Sequence, residues 1–480
     1  MKKTMKKFVA LAVALTTALS SCVTAFAGTT NFILDTDGEM IPIPETYTVS
    51  KSIKNLGDYG FLSNAEDLFY DSLGYLYVAD TGNNRVLKMT TSGEVLLEIT
   101  SGMGTDLNSP RGVFVDDEGQ IWIADTGNLR IVVLDKNGND VREMGKPESD
   151  VLGDDFTFDI EKICINNMGY VFALKGANIM KINSKNEFLS YMGTPDVGFS
   201  FTRFLIRKFG SLEQRERTER VEPTAYNNFT IGADGNMYGV LASGTSGQIR
   251  RLNSVGENTY PENSFGFNIY KQGELTPTEP TFNDIAVDSN GIITTVDQWT
   301  GLIYQYDTEG NLLTTFGGIG NRSGMFTRPN SIVVDKAGNL YVLDWSANNI
   351  QVFEPTAFIE QVHDAIVLQA AGNYEDAKSY WEAVLDIDSN YSLAHKCIGK
   401  ILYKEGDYTE SKRQYELAED KEGYSTSFSE ERHEFIRDFF FLIVAVVVVL
   451  LVIIGKLFVT VKRRADKWAF NIEMRGDMDR

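Results

Sequence analysis

The chain has 480 residues, 43% of them hydrophobic, and a formal net charge of -21. That length accommodates two or three domains with cores of their own, and the acidic balance excludes a nucleic-acid-binding surface while suiting a solvated extracytoplasmic protein. Cys22, Cys164 and Cys397 are too few and too far apart for a disulfide framework, and His363, His395 and His433 all lie in the last third of the chain.

The N-terminus reads as an export signal. Lys2, Lys3, Lys6 and Lys7 precede an apolar run from Phe8 to Leu19, and Ala25-Phe26-Ala27 offers small residues before Gly28, which predicts a signal peptide over 1–27. A second reading stays open: Leu19-Ser20-Ser21-Cys22 resembles a bacterial lipobox, in which Cys22 is lipidated. Cleavage after Ala27 is preferred because the apolar stretch reaches past Cys22 to the small-residue site.

From there to Pro355 the chain is organised by a repeat. Gly74 to Val86 reads GYLYVADTGNNRV, Gly119 to Ile131 reads GQIWIADTGNLRI, and Gly338 to Ile350 reads GNLYVLDWSANNI; weaker copies begin at Gly169, Gly235 and Gly291. Around each glycine, apolar stretches alternate with Gly or Asn turns, as in Gly112 to Val115, the second strand after Gly119, then Arg130 to Leu134. Period-2 alternation and such turns predict antiparallel strands, four to a unit. Six such units predict an all-β six-bladed β-propeller over 45–355.

The motif G-x-[IL]-[YW]-[VI]-A-D-T-G-N-x-R-[IV] in the first two units resembles the NHL-repeat family of propellers, and the resemblance extends over about Ala65 to Glu354. Unit three lacks the Asp, unit four lacks both Asp and Arg, and unit five keeps Asp297. The Asp at 80, 125, 297 and 344 is read as structural, an acceptor of turn N–H groups beside the second strand. Unit six has three obvious strands before Pro355, so Thr46 to Ile53 is expected to supply its outer strand and close the ring. An insert at about 195–222, with Arg203, Arg207, Lys208, Arg215, Arg217 and Arg220, is expected to bear a helix. Glu213, Glu216 and Glu219 interleave its cations, giving an ion-paired solvated face.

One position recurs at the start of every innermost strand: Glu66, Arg111, Glu161, Asn227, Asn283 and Asn330. These six are expected to ring the mouth of the central channel. Carboxylate and amide oxygens on a six-bladed propeller resemble the pocket of gluconolactonase or senescence-marker hydrolases, and Arg328-Pro329-Asn330-Ser331 resembles that family's R-P-N-G element. The resemblance implies a divalent cation, calcium or zinc, on Glu66, Asn227, Asn283 and Asn330, with Asp284 as a further ligand. Against it, Arg111 puts a cation in the pocket, and inner-strand starts of any propeller are polar where they border water.

After Pro355 the periodicity becomes helical. Ala371-Gly372-Asn373-Tyr374 and Glu405-Gly406-Asp407-Tyr408 align at a separation of 34 residues, with Trp381 matched by Tyr415. This spacing resembles tetratricopeptide repeats over 356–420, an all-α pair; the resemblance implies Tyr374, Trp381, Tyr408 and Tyr415 as residues that either pack the pair or meet a partner. A juxtamembrane helix over 421–437 follows. A transmembrane helix is predicted over 438–461, since the apolar run from Phe439 to Gly455, extended by Leu457 to Val461, is long enough to span a bilayer, and Lys462, Arg463, Arg464 and Lys467 in the tail 462–480 contrast with Glu430, Glu431, Glu434 and Asp438 ahead of that run. The positive-inside rule then puts the tail in the cytosol and the rest outside.

The combined expectation is a single-pass, extracytoplasmic binding or scaffold protein of a bacterial envelope, accessory to a membrane or transport assembly, holding a protein or glycan partner. The alternative is a metal-dependent, gluconolactonase-like hydrolase.

Overall fold

A computed structural model describes residues 31–34, 38–149, 152–153, 155–176, 178–192, 226–241, 244, 246–267 and 280–478. The expected signal peptide with Cys22 and the insert at 195–222 lie outside the described residues. Contacts divide the chain after Asn390 into two compact units.

The first unit holds a six-bladed propeller. Blade 1 is formed by Asp67–Tyr70, Tyr75–Asp80, Arg85–Thr90 and Val95–Ile99, and blade 2 by Gly112–Val115, Ile121–Asp125, Arg130–Leu134 and Asp140–Met144. Blade 3 is Lys162–Ile165, Val171–Lys175, Asn178–Ile182 and Phe188–Met192; blade 4 has, among the described residues, Tyr226–Ile231, Met237–Leu241 and Ile249–Leu252. Blade 5 comprises Phe282–Val287, Ile293–Asp297, Leu302–Tyr306 and Leu312–Gly317. Blade 6 comprises Pro329–Val334, Leu340–Asp344 and Asn349–Pro355, and Tyr47–Ile53 completes it. That strand pairs antiparallel with Asn349–Pro355, with Ile53 opposite Ile350 and Tyr47 opposite Pro355, so the first strand of the ring closes the last blade.

The second strand of each blade is buried on both sides between blades and is largely apolar for that reason, blade 5 with Thr294 and Thr295 being the exception. In blade 1, Leu76 and Val78 pack with Tyr341, Leu343 and Ile350 of blade 6, while Tyr77 and Ala79 pack with Val113, Ile121 and Ile123 of blade 2. Side chains of successive residues leave a strand in opposite directions, so one six-residue strand serves two interfaces. Each fully buried leucine, isoleucine or valine among them contributes about 1.5–3 kcal/mol by removal from water.

The D-T-G-N-x-R run is the joint between blades. Asp80 is fully buried; its Oδ1 accepts from Ser63 N at 2.7 Å and its Oδ2 from Arg85 Nε at 2.8 Å and Asn83 Nδ2 at 2.9 Å. Asp125 repeats this with Asn108 N at 2.7 Å and Arg130 Nε at 2.8 Å. Thr81 donates its hydroxyl to Pro110 O of the next blade at 2.7 Å, and Thr126 does the same to Ile160 O at 2.6 Å. Gly82 is obligatory, since a Cβ there would lie 2.6 Å from Ser63 O. The Asp is therefore structural, as its position suggested.

A short hairpin, Phe32–Leu34 with Met40–Pro42, adds to the outer edge of blade 5 through Phe32 opposite Thr315. The propeller thus recruits residues ahead of 45; three-residue strands carry too little alternation to be read from sequence. Helices α1 (Ala357–Ala370) and α2 (Tyr374–Ile387) complete this unit. Between them Gly372 has φ 81°, a left-handed conformation that favours glycine. His363 of α1 reaches blade 5, its Nε2 lying 3.1 Å from Gln305 Oε1; Gln305 Nε2 in turn donates to Tyr47 OH at 2.8 Å.

The second unit contains α3 (Ser392–Glu405), α4 (Tyr408–Leu417), α5 (Lys421–Asp438) and α6 (Phe440–Met478). Gly406 ends α3 with φ 86°, and Asp407 caps α4 by accepting from Glu410 N at 3.1 Å. Helix α5 starts at Lys421, where the juxtamembrane segment was expected to begin, and is capped by Asp420, which accepts from Gly423 N at 2.9 Å. In α6, Phe440–Trp468 contains an 18-residue stretch with a mean hydropathy of 3.2 and is, by length and composition, able to cross a membrane.

Candidate functional site: the propeller channel

All six recurrent residues sit where the innermost strands begin, and they engage one another or the next blade. Arg111 Nε pairs with Glu66 Oε2, and Arg111 Nη1 donates to Glu161 Oε1 at 2.9 Å. Burial alone would depress the Arg111 pKa; the carboxylates of Glu66 and then Glu161 outweigh it, raise the pKa and hold the guanidinium charged.

The other three residues form the amide half of this collar. Asn227, Asn283 and Asn330 each stand at a register shift between the first two strands of their blade, an extra residue on the innermost strand. Each uses its amide to staple the next blade. Asn227 Nδ2 donates to Phe282 O at 2.7 Å, Asn283 Nδ2 to Asn330 O at 2.7 Å and Oδ1 at 2.9 Å, and Asn330 Nδ2 to Glu66 O at 2.7 Å.

This geometry does not fit a divalent cation on Glu66, Asn227, Asn283 and Asn330. The one carboxylate of the set is held by a guanidinium, and the Asn330 amide oxygen is taken by Asn283. A cation there would have to displace Arg111 and meet its charge. Asp284 is no additional ligand either: its Oδ2 accepts from Ser331 Oγ at 2.6 Å and Ile332 N at 2.8 Å, and its Oδ1 from Ile285 N at 2.8 Å. Among the described residues no group of three or more His, Cys, Asp and Glu is placed to hold a metal.

One residue further along each inner strand lies a second layer: Asp67, Gly112, Lys162, Asn228, Asp284 and Ser331. Lys162 pairs with Asp67 Oδ1, and Asp67 Oδ2 accepts from Val113 N at 2.9 Å, so the pair joins three blades. Lys162 is 7% exposed, Asp67 1% and Asp284 2%. Burial pulls the Lys162 pKa down, but the charges of Asp67 and Asp284 outweigh it and raise it above the ordinary lysine value. Burial pushes Asp284 up to about 6, and the Lys162 charge restrains the rise. Gly112 is small because a Cβ there would meet Glu161 O at 2.7 Å. Apart from Asp284, sequence reasoning passed over this layer, although the count that finds the collar, moved on by one, lands on a charge in two inner strands besides Asp284.

The helical residues expected to pack or to meet a partner divide in the same way. Trp381 is fully buried with its Nε1 donating to Gln369 Oε1 at 3.0 Å, and Tyr415 is buried against Gly399 and Gly423. Both are core, so of the two roles expected for them it is packing that they fill, not contact with a partner. Tyr408 is half-buried and stands edge-on to Tyr403, and Tyr374 is half-buried.

Comparison with known proteins finds the NHL repeat at residues 107–134 and 326–353, so the propeller carries NHL repeats. No curated protein matches the chain. Among solved structures, a streptogramin B lyase is 14% identical over 65% of this chain and 98% of its own, with a TM-score of 0.41. A virginiamycin B lyase from Staphylococcus aureus, solved with quinupristin, is 14% identical over 67% of this chain and 86% of its own, TM-score 0.40. A gluconolactonase from Xanthomonas campestris is 13% identical over 69% of this chain and 96% of its own, TM-score 0.42. At these identities and scores the likenesses carry no chemistry over to this chain.

Proposed function

We propose that the chain is a membrane-anchored binding protein of the cell envelope, in which the NHL propeller holds a protein or glycan partner outside the membrane and the tetratricopeptide-like helices contribute to the same assembly. The observation that carries this reading is Arg111 set between Glu66 and Glu161. A cation of the protein's own stands where a lactonase-like enzyme would need its metal, so the mouth of the channel serves the rigidity of the ring and the outer surfaces are left for recognition. The apolar helix supports anchoring, and the basic residues Lys462, Arg463, Arg464 and Lys467 support a cytosolic tail.

The test uses the full-length protein. Membrane fractions washed with carbonate should retain it, and protease added to intact spheroplasts should remove the propeller while sparing the tail. In-cell crosslinking should recover a defined envelope partner. Calcium or zinc should leave the melting temperature unchanged, and aldonolactones should remain unhydrolysed. Metal-dependent hydrolysis would establish the enzyme reading instead, and release by carbonate would remove the anchor.

A further inference from the structure

Beyond the second layer the channel widens. A cavity of about 880 Å³ occupies its other half and is lined by the inner strands of all six blades, with Lys162 and Asp284 at its floor. The cause lies in the third layer, two residues past the second: Phe69, Phe114, Cys164, Thr230, Ala286 and Val333. Blades 1 and 2 contribute phenylalanines, whose rings meet at 4.8 Å, while blades 3 to 6 contribute small side chains. Aromatic bulk on one side and small residues on the other leave a one-sided void of the size of small-molecule sites.

The floor is bipolar. Among the described residues Lys162 gives one hydrogen bond, to Asp67, which leaves two of its three N–H bonds for another acceptor. Asp284 lines the same cavity; its two carboxylate oxygens already accept three hydrogen bonds, from Ile285 N, Ser331 Oγ and Ile332 N, and keep capacity for one more. An anion entering here would face Asp284, with Asp67 buried behind Lys162, and a cation would face Lys162, so charged ligands of either sign meet repulsion at short range in a poorly solvated site. A hydroxyl satisfies both groups at once, accepting from the ammonium and donating to the carboxylate.

We propose that this half of the channel binds a neutral, hydroxyl-bearing ligand, its hydroxyl on Lys162 and Asp284 and its apolar body against Phe69 and Phe114. This site is separate from the partner-holding role of the propeller's outer surfaces, and neither depends on the other.

A matched series of water-soluble probes tests it: cyclohexylmethanol, cyclohexanecarboxylate and cyclohexylmethylammonium share a body and differ in the head. Binding is read by saturation-transfer NMR and titration on the full-length protein in lipid nanodiscs. Cyclohexylmethanol should bind at least about ten-fold more tightly than either charged analogue, and Ala286→Leu or Thr230→Leu, each filling the void from a different blade, should abolish its signal while circular dichroism stays native. Equal binding of the three probes, no binding of the alcohol, or undiminished binding in a folded variant overturns the proposal. If one variant fails to fold, the other and the probe series still decide.

Discussion

Asn330 in the last blade gives its side-chain N–H to the backbone carbonyl oxygen of Glu66 in the first, at 2.7 Å. The ring is thereby joined at the channel as well as at its rim, where Tyr47–Ile53 pairs with Asn349–Pro355. Asn330→Ala removes this donor and one of the two acceptors that Asn283 uses, and is expected to cost about 1–3 kcal/mol. Asn330→Asp, which keeps the size but cannot donate, should lose nearly as much. An unchanged propeller melting temperature in both would refute the staple.

Arg111→Gln leaves Glu66 and Glu161 facing each other without their shared cation. Because all three side chains are partly solvated, the expected loss at neutral pH is about 1 kcal/mol or less. The deficit should shrink as the ionic strength is raised and the pairs are screened. Thermal melts of both proteins across salt concentration check this, and a salt-independent deficit would point to lost packing instead.

The buried pair is expected to weigh more. Lys162→Met strands Asp67 in the interior and should cost about 3–5 kcal/mol. The double variant with Asp67→Asn keeps the acceptor for Val113 N while removing the stranded charge, and should recover most of that. Denaturation of the two variants side by side is the measurement, and a double variant no better than the single would exclude the charge as the cause.

Gly82→Ala and Gly145→Ala should differ sharply. A Cβ at Gly82 meets Ser63 backbone at 2.6 Å, whereas at Gly145 nothing lies within 4 Å. Overpacking of this kind costs about 1–3 kcal/mol; the second change is expected to be near neutral. Equal melting temperatures would contradict the joint described for the D-T-G-N-x-R run.

His363 provides a pH test. Burial pulls its pKa from 6.5 down to about 4, so the unfolded chain binds a proton in that interval that the folded chain does not. Its contribution is therefore complete above pH 6.5 and is lost as pH falls towards 4. Asp284, raised to about 6, acts in the opposite sense, because its ionisation costs stability as pH rises. Only the difference between wild type and His363→Gln isolates the histidine; that difference should favour the wild type near pH 7 and move against it as pH falls below 6.5.

Much of the ring was legible because its determinants are local. The Gly turn, the apolar second strand and the buried Asp80 recur at fixed offsets, and the exposed edge of unit six demanded a partner that Thr46 to Ile53 could supply. The channel's positions were legible by counting, but its chemistry was not. Whether Glu66 offers oxygens to a metal or to Arg111 depends on a contact between residues 45 apart, on neighbouring blades. The asparagines looked like ligands because their role as staples follows from an extra residue in the strand, which alternation does not reveal. Trp381 and Tyr415 carried the signature of a helical repeat equally well as core or as surface, and only packing separates the two.

The closing strand also sets an order in time. Tyr47–Ile53 is among the first segments of the ring to be synthesised and pairs with one of the last; Ser50 Oγ donates to Val352 O at 3.4 Å, across 302 positions of chain. Blades can form from neighbouring hairpins as they emerge, but the clasp waits for the final one, and such distant pairing is slow. Throughout that wait both edges are unpaired templates for another chain. A product cut short before Asn349 would keep a free sticky strand permanently, so the device that seals the finished ring makes unfinished copies prone to join one another.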